Sequence, residues 1–441
     1  MLILIALSCF GCYFCFETIT TWQFSIREYI TDNNYTKLDQ LYAISAYVSV
    51  ILALFGGYII DRIGLRASFI IFSIILTIGQ MLFMISSYIP GKRYNIYILA
   101  LVSQLIYGVG LIVVVICKSV AISNWFIGQE WGLAFGIFIS VSNFAIWLNY
   151  FTSVIFPDSN KLKIINAIAL FLWICSIIPN CIFTRFEKYA NEWAASKFNR
   201  KEDSVERFRC SSIKKLDKRF WLLCLILLCL FIPRYNFWRV KRSYFEEIFD
   251  YQSDDNLLMI FSINFAMTVL FSPIIGLFID KMGHQITWLI ISSILSTISH
   301  VIFCVLPKGS NYLVLIPLII FGLSYAICYV CILTLVPLVV APNAIGTGFG
   351  IVSAWEYFGM SISPLILEVF FKNHELRYKP YMFATFIIFS IISILLSIIL
   401  YVINMLHIKK QRPAIEIYLS YEKRLQKNNQ QATEHDSKDS I

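Results

Sequence analysis

Three ionisable residues fall deep inside long apolar runs: Glu17, Arg234 and Glu356. A charge at the centre of a bilayer costs about 2.5–3.5 kcal/mol on insertion scales, so each needs a partner or a use. An acid in such a place titrates, relays a proton or holds an amine. Arg234, within Phe231-Ile-Pro233-Arg234-Tyr235-Asn236, stands beside a proline that frees a backbone carbonyl. A guanidinium there can hold a carboxylate or phosphate through two parallel bonds. Two acids and one base suit a zwitterion. They equally suit an internal pair, Arg234 with Glu17 or Glu356, that only fixes helix packing.

Softer candidates are Asn143, Trp147, Asn149 and Asn264, together with Tyr325 and Tyr329, whose i, i+4 spacing puts them on one helix face. Polar side chains in membrane helices also serve interhelical hydrogen bonds, and packing is the favoured reading for each of these. Lys118 closes an apolar run and reads as a cation snorkelling to the interface, and His300 reads as structural. Cys12-x-x-Cys15 and Cys328-x-x-Cys331 have the spacing of a metal or redox pair, but no His or second such pair accompanies them. They read as small hydrophobes. The chain has no HExxH, no Walker loop and no G-x-S-x-G, so it is not expected to be an enzyme, and no cofactor or metal is expected.

The elements that must carry these residues follow from composition. Of 441 residues, 58% are hydrophobic and 14% charged, against roughly 25% charged in soluble domains. The apolar residues come in runs near the ~20 that cross a hydrocarbon layer. Twelve spans result, at about 2–26, 38–60, 66–87, 95–118, 132–156, 163–184, 219–245, 255–279, 286–306, 311–337, 344–371 and 380–406. The first run lacks the basic lead and small-residue cleavage site of a signal peptide and reads as a span. The fold class is all-α and polytopic: a six-helix bundle over 1–184, a basic linker over 185–218, a second six-helix bundle over 219–408 and a polar tail over 409–441. The net charge of +9 sits mainly in loops, which points to orientation in a lipid bilayer and not to nucleic acid. The linker holds eleven Lys or Arg, Arg219 included, against six Asp or Glu. With it in the cytoplasm, both termini are cytoplasmic, and Asn34-Tyr35-Thr36 is a sequon on the opposite face, open to glycosylation at Asn34.

One pattern occurs twice. Gly57-Tyr-Ile-Ile-Asp61-Arg62-Ile-Gly64-Leu-Arg66 follows the second span, and Gly276-Leu-Phe-Ile-Asp280-Lys281-Met-Gly283 follows the eighth, each at the same place in its half. Gly57 and Gly276 suit close helix approach. Asp61 and Asp280 suit the N-terminus of a neighbouring helix or a nearby Arg. Gly64 and Gly283 suit the φ > 0 position that ends a helix.

The doubled motif resembles the loop 2–3 and loop 8–9 signature of the major facilitator superfamily. That likeness implies two bundles around a central cavity and an alternating-access cycle. Further segments resemble its lysosomal dipeptide transporter branch: Tyr13-Phe-Cys-Phe-Glu17, Phe55-Gly-Gly-Tyr-Ile-Ile-Asp61-Arg62, Ile78-Gly79-Gln80, Ser123-Asn-Trp125-Phe126-Ile-Gly128-Gln-Glu130 with Phe135-Gly136, Phe220-Trp-Leu, Gly322-Leu-Ser-Tyr325 and Gly346-Thr347-Gly-Phe-Gly350. The resemblance implies transport of dipeptides or amino acids, as a uniporter or with protons. It also implies a lysosomal or other endomembrane, a homodimer and a glycosylated accessory lysosomal subunit. In that branch an acid in helix 4 holds the dipeptide's amine and an Arg in helix 5 its carboxylate. The matching positions here are Ile112 and Asn143. The alternative reading is a transporter-shaped sensor that binds a solute without moving it.

Overall fold

The computed structural model describes residues 1–31, 34–89, 93–126, 130–155, 161–198, 216–248, 254–307, 312–373 and 381–407. The first span is two helices, α1 (Leu2–Thr21) and α2 (Gln23–Tyr29), broken at Trp22. Then come α3 (Tyr35–Ile63), α4 (Leu65–Tyr88), α5 (Arg93–Trp125), α6 (Trp131–Ile155) and α7 (Lys161–Phe198). The second half holds α8 (Lys218–Ile248), α9 (Asp254–Met282), α10 (Gln285–Val305), α11 (Leu315–Val339) and α12 (Ile345–Asn373), and closes with α13 (Tyr381–His407). Among the described residues, 11 helices are long and apolar enough to cross a membrane. With α12, they make the twelve spans.

Helices dominate because hydrocarbon offers the backbone no hydrogen-bond partner, and a helix satisfies its groups internally. Bulky apolar side chains such as Ile51, Leu54, Phe55, Ile74 and Leu395 point outward. The polar side chains turn inward, where they join helices. Ser293 and Ser296 of α10 meet Ser393 and Ser390 of α13 at 2.8 and 3.2 Å, the small-residue contact common between membrane helices. In the first half α1 packs on α5, α6 and α7, and α4 packs on α5 and α7. In the second, α8 packs on α12, and α11 packs on α9 and α10. The halves meet along α6 with α9 and along α3 with α12.

Two boundaries differ from expectation. α7 continues to Phe198, so the first part of the basic linker prolongs the helix; residues 199–215 and the tail from 408 lie outside the described residues. α5 runs to Trp125, seven residues beyond Lys118. Lys118 therefore does not snorkel. It is fully buried, and its Nζ donates to the Ser8 carbonyl at 2.9 Å and to Cys12 Sγ at 3.3 Å. The apolar run looked finished at Lys118 because Ser119, Ser123 and Asn124 follow it. Those residues continue the helix.

Candidate functional site

The doubled motif builds two matched clamps between the halves. Gly64 ends α3 at φ 98° and Gly283 follows α9 at φ 67°, conformations that a side chain would strain. These turns set each motif aspartate against a helix of the other half. Asp61 accepts from the backbone N–H groups of Gly346 and Thr347 at 2.9 and 2.7 Å and from the Thr347 hydroxyl at 2.6 Å. Asp280 accepts from the N–H groups of Gly132 and Leu133, both at 2.7 Å. Each carboxylate thus caps the first turn of a helix, α12 or α6, where unpaired N–H groups and the helix dipole favour negative charge. The backbones come close enough that a Cβ at Gly57 would strike the Gly346 carbonyl, and one at Gly276 the Gly132 carbonyl. Arg62 and Lys281 stay exposed, with Arg62 donating to the Tyr58 hydroxyl. Arg66 is partly buried and faces Glu187 electrostatically. At the motif end, the two halves are held together.

The polar centre lies farther along the helices. Glu356 of α12 accepts from the Tyr235 hydroxyl of α8 at 3.3 Å and from the Tyr329 hydroxyl of α11 at 3.2 Å. Tyr329 stacks on Tyr325 one turn earlier, with ring centroids 5.4 Å apart, as the i, i+4 spacing requires. Arg234 lies on the Tyr325 ring, its guanidinium carbon 3.3 Å from the centroid, with the Trp238 ring at 4.7 Å. Its terminal nitrogens have no hydrogen-bond partner among the described residues, so it is not bonded to Glu17 or Glu356. Tyr13 of α1 and Tyr357 of α12 stand within electrostatic range of Glu356, and Tyr42 of α3 stands within range of Tyr235.

Tyr42 also stands within electrostatic range of Tyr150, the partner of Glu17. Glu17 is buried and accepts from the Tyr150 hydroxyl of α6 at 2.9 Å. Tyr150 stacks on Phe265, and Phe265 meets Trp238, with 5.3 Å between centroids in each pair. These rings thus run from the partner of Glu17 to Trp238, which lies against Arg234. Asn149 joins α6 to α1 by donating to the Phe14 carbonyl and the Thr18 hydroxyl. Asn143 donates to the Ile139 carbonyl of its own helix. Trp147 stacks between Phe144 and Phe151. Asn264 is buried against Gly322 of α11. His300 is buried, with Phe321 and Phe386 against its ring and the Ser390 hydroxyl 3.4 Å from Nδ1. Asn34 is exposed at the start of α3, its Oδ1 accepting from the Lys37 N–H.

Sequence reasoning missed Tyr235, Tyr150 and Trp238. In a chain with 24 Tyr and 37 Phe, one more ring in an apolar helix carries no signal. Among the described residues no group of three His, Cys, Asp or Glu could hold a metal ion.

Comparison with known proteins extends over the whole architecture. The Major Facilitator Superfamily model matches residues 2–364 and 252–424. The lysosomal dipeptide transporter MFSD1 of Homo sapiens is 24% identical over 414 residues, 92% of this chain and 86% of that protein. Its counterpart in Mus musculus is 23% identical over 418 residues, 91% of this chain and 86% of that protein. Among solved structures, the human organic anion transporter MFSD10 matches with a TM-score of 0.65 at 12% identity, covering 90% of this chain and 98% of its own. The proton:xylose symporter XylE matches with a TM-score of 0.64 at 14% identity, covering 89% and 94%. These structural likenesses show the fold. Because the family model spans both halves, the chain belongs to the major facilitator superfamily, non-enzymatic carriers that move a small solute across the bilayer by alternating access.

Proposed function

We propose that the solute is a small molecule with a primary amine, of the dipeptide or amino-acid class, held at Glu356. One observation carries this reading: a carboxylate deep in the membrane region receives hydroxyls from two different helices among tyrosine faces. A carboxylate flanked by rings attracts an ammonium by charge and by cation–π contact. Arg234, behind Tyr325, supplies the positive potential toward which the solute's own carboxylate points. Full-length similarity to proteins described as lysosomal dipeptide transporters supports the same class and a lysosomal membrane. The excess of Lys and Arg in the linker supports a cytoplasmic motif end. The clamps then close the cytoplasmic entrance and must open to release solute there.

Uptake into proteoliposomes tests the reading with a dipeptide, its free amino acids and its N-acetylated form, at pH 5 and pH 7. Dipeptide uptake is expected, with little uptake of the acetylated form, and acceleration by an inward proton gradient marks proton coupling over uniport. Glu356→Gln is expected to weaken binding about tenfold or more, since a hydrogen bond to a charged group contributes about 1.5–3 kcal/mol. Equal transport of the acetylated dipeptide, or unchanged affinity in Glu356→Gln, refutes the amine site. Binding without flux makes the protein a sensor.

A further inference from the structure

At the motif end of the second half, the helices part around an open cleft of about 370 Å³ between the starts of α8 and α10 and the ends of α11 and α13. That volume lies within the ~300–1,000 Å³ of small-molecule clefts. Among the described residues, none of those around Glu356, Arg234 or Glu17 lines it. Its floor is apolar and buried, formed by Leu223, Ile286, Leu335 and Leu400. Leu338 and Met405 also line it and stay 52% and 42% exposed. The mouth is cationic. Arg219 lines it, with Nε and Nη2 both 2.6 Å from Asp217 Oδ2 and Nη1 donating to Asn404 Oδ1 at 3.0 Å. A guanidinium has five N–H donors, more than these contacts use. Asp217 offsets one charge. Lys218 is exposed beside it, His284 lines the cleft, and His407 stands within electrostatic range of Asp217. In sequence, Lys214 and Lys215 precede α8, and Lys409 and Lys410 follow α13.

The lining chemistry narrows the occupant. A cationic mouth beside an apolar floor suits an amphiphile with an anionic head. Inorganic phosphate would use the mouth and leave the floor against water. A neutral apolar molecule would fill the floor and leave the spare guanidinium donors unused. An acidic phospholipid uses both. Its phosphate accepts from the planar donor fork of Arg219, and an acyl chain covers Leu223, Leu335 and Leu338. The bilayer around the helices supplies such a molecule at high local concentration, and basic pockets between membrane helices are a general kind of site for acidic headgroups. α10 also begins in the cleft without a side-chain cap, so its first N–H groups add donors to those of Arg219.

We propose that this cleft holds one acidic phospholipid of the surrounding bilayer, with its phosphate on Arg219 and one acyl chain on the apolar floor. The site ties the ends of α8 and α11 to those of α10 and α13, whichever solute is carried. It is tested on the full chain without solute, in nanodiscs of phosphatidylcholine with increasing phosphatidylserine, by thermal unfolding. The midpoint is expected to rise saturably with phosphatidylserine, and native mass spectrometry from detergent should show one such lipid retained. Arg219→Gln should weaken the apparent lipid affinity about tenfold, the loss of a hydrogen bond to a charged group. Leu338→Trp fills the cleft and keeps every charge. It should abolish the retained lipid while unfolding in phosphatidylcholine alone stays close to that of the parent. Sodium phosphate at matched ionic strength should not replace the lipid. Identical midpoints in all bilayers with no retained lipid overturn the proposal. A lipid effect undiminished in Leu338→Trp also overturns it, because the lipid is then drawn only to the charged surface. Equal stabilisation by inorganic phosphate overturns it as well, because the acyl chain then plays no part.

Discussion

At the scale of single residues, the same side-chain types take different roles according to what surrounds them. Glu17 and Glu356 are both acids in apolar helices. Glu17 accepts from the Tyr150 hydroxyl, whereas Glu356 gathers hydroxyls from two helices near Tyr13 and Tyr357. Both were legible in the sequence, because a charge in an apolar run is conspicuous. Their partners were not, because these depend on which helices lie beside α1 and α12. Lys118 shows the opposite error. The helix that holds it was read as too short, so a buried cation was taken for an interfacial one. Its ammonium joins α5 to α1 through a carbonyl and a thiol without a carboxylate, so its desolvation is poorly compensated. Lys118→Met, an apolar chain of similar reach, is therefore expected to raise stability by roughly 1–4 kcal/mol, read as a higher unfolding midpoint in detergent. A lower midpoint would mean that the bonds to Ser8 and Cys12 outweigh the buried charge.

At the scale of elements, the proposed transport cycle would have to break the two clamps. Asp61 accepts three hydrogen bonds from the start of α12, and Asp280 accepts two from the start of α6. Both carboxylates are partly solvated, which reduces the value of their charge. Asp61→Asn keeps the shape and one acceptor but loses the charge that favours a helix N-terminus, at about 0.3–1 kcal/mol for the dipole and more for the bonds. It is expected to loosen the motif end and slow turnover severalfold while solute affinity changes less than about threefold. Asp280→Asn should do the same more weakly. Turnover in proteoliposomes and ligand-dependent unfolding separate the two quantities, and an equal loss of both would remove the clamp role from Asp61. The motif's residue types and its repetition at matching places announced these turns. Which helix each aspartate would meet was not legible, because Gly346 and Gly132 lie in other halves of the chain from Asp61 and Asp280.

At the scale of the whole molecule, we propose that an even number of spans puts both ends on one face, and the excess of Lys and Arg in the linker points to the cytoplasm for that face. Asn34, exposed before α3, then faces the other compartment. Expression in a secretory membrane system is expected to give a glycosidase-sensitive mobility shift that Asn34→Gln abolishes, with terminal tags cleaved by protease only from the cytoplasmic side. Protease-protected tags would invert the topology. The count of spans, the two halves and the motif turns are one-dimensional properties: apolar length against bilayer thickness, and local backbone need against glycine and aspartate. Those could be read from residue order. The tyrosines around Glu356, the Tyr150 hydroxyl on Glu17, the burial of Lys118 and the space beside Arg234 all arise where helices distant in sequence come together. Side chains there are selected by the space between helices, which no single run of residues encodes.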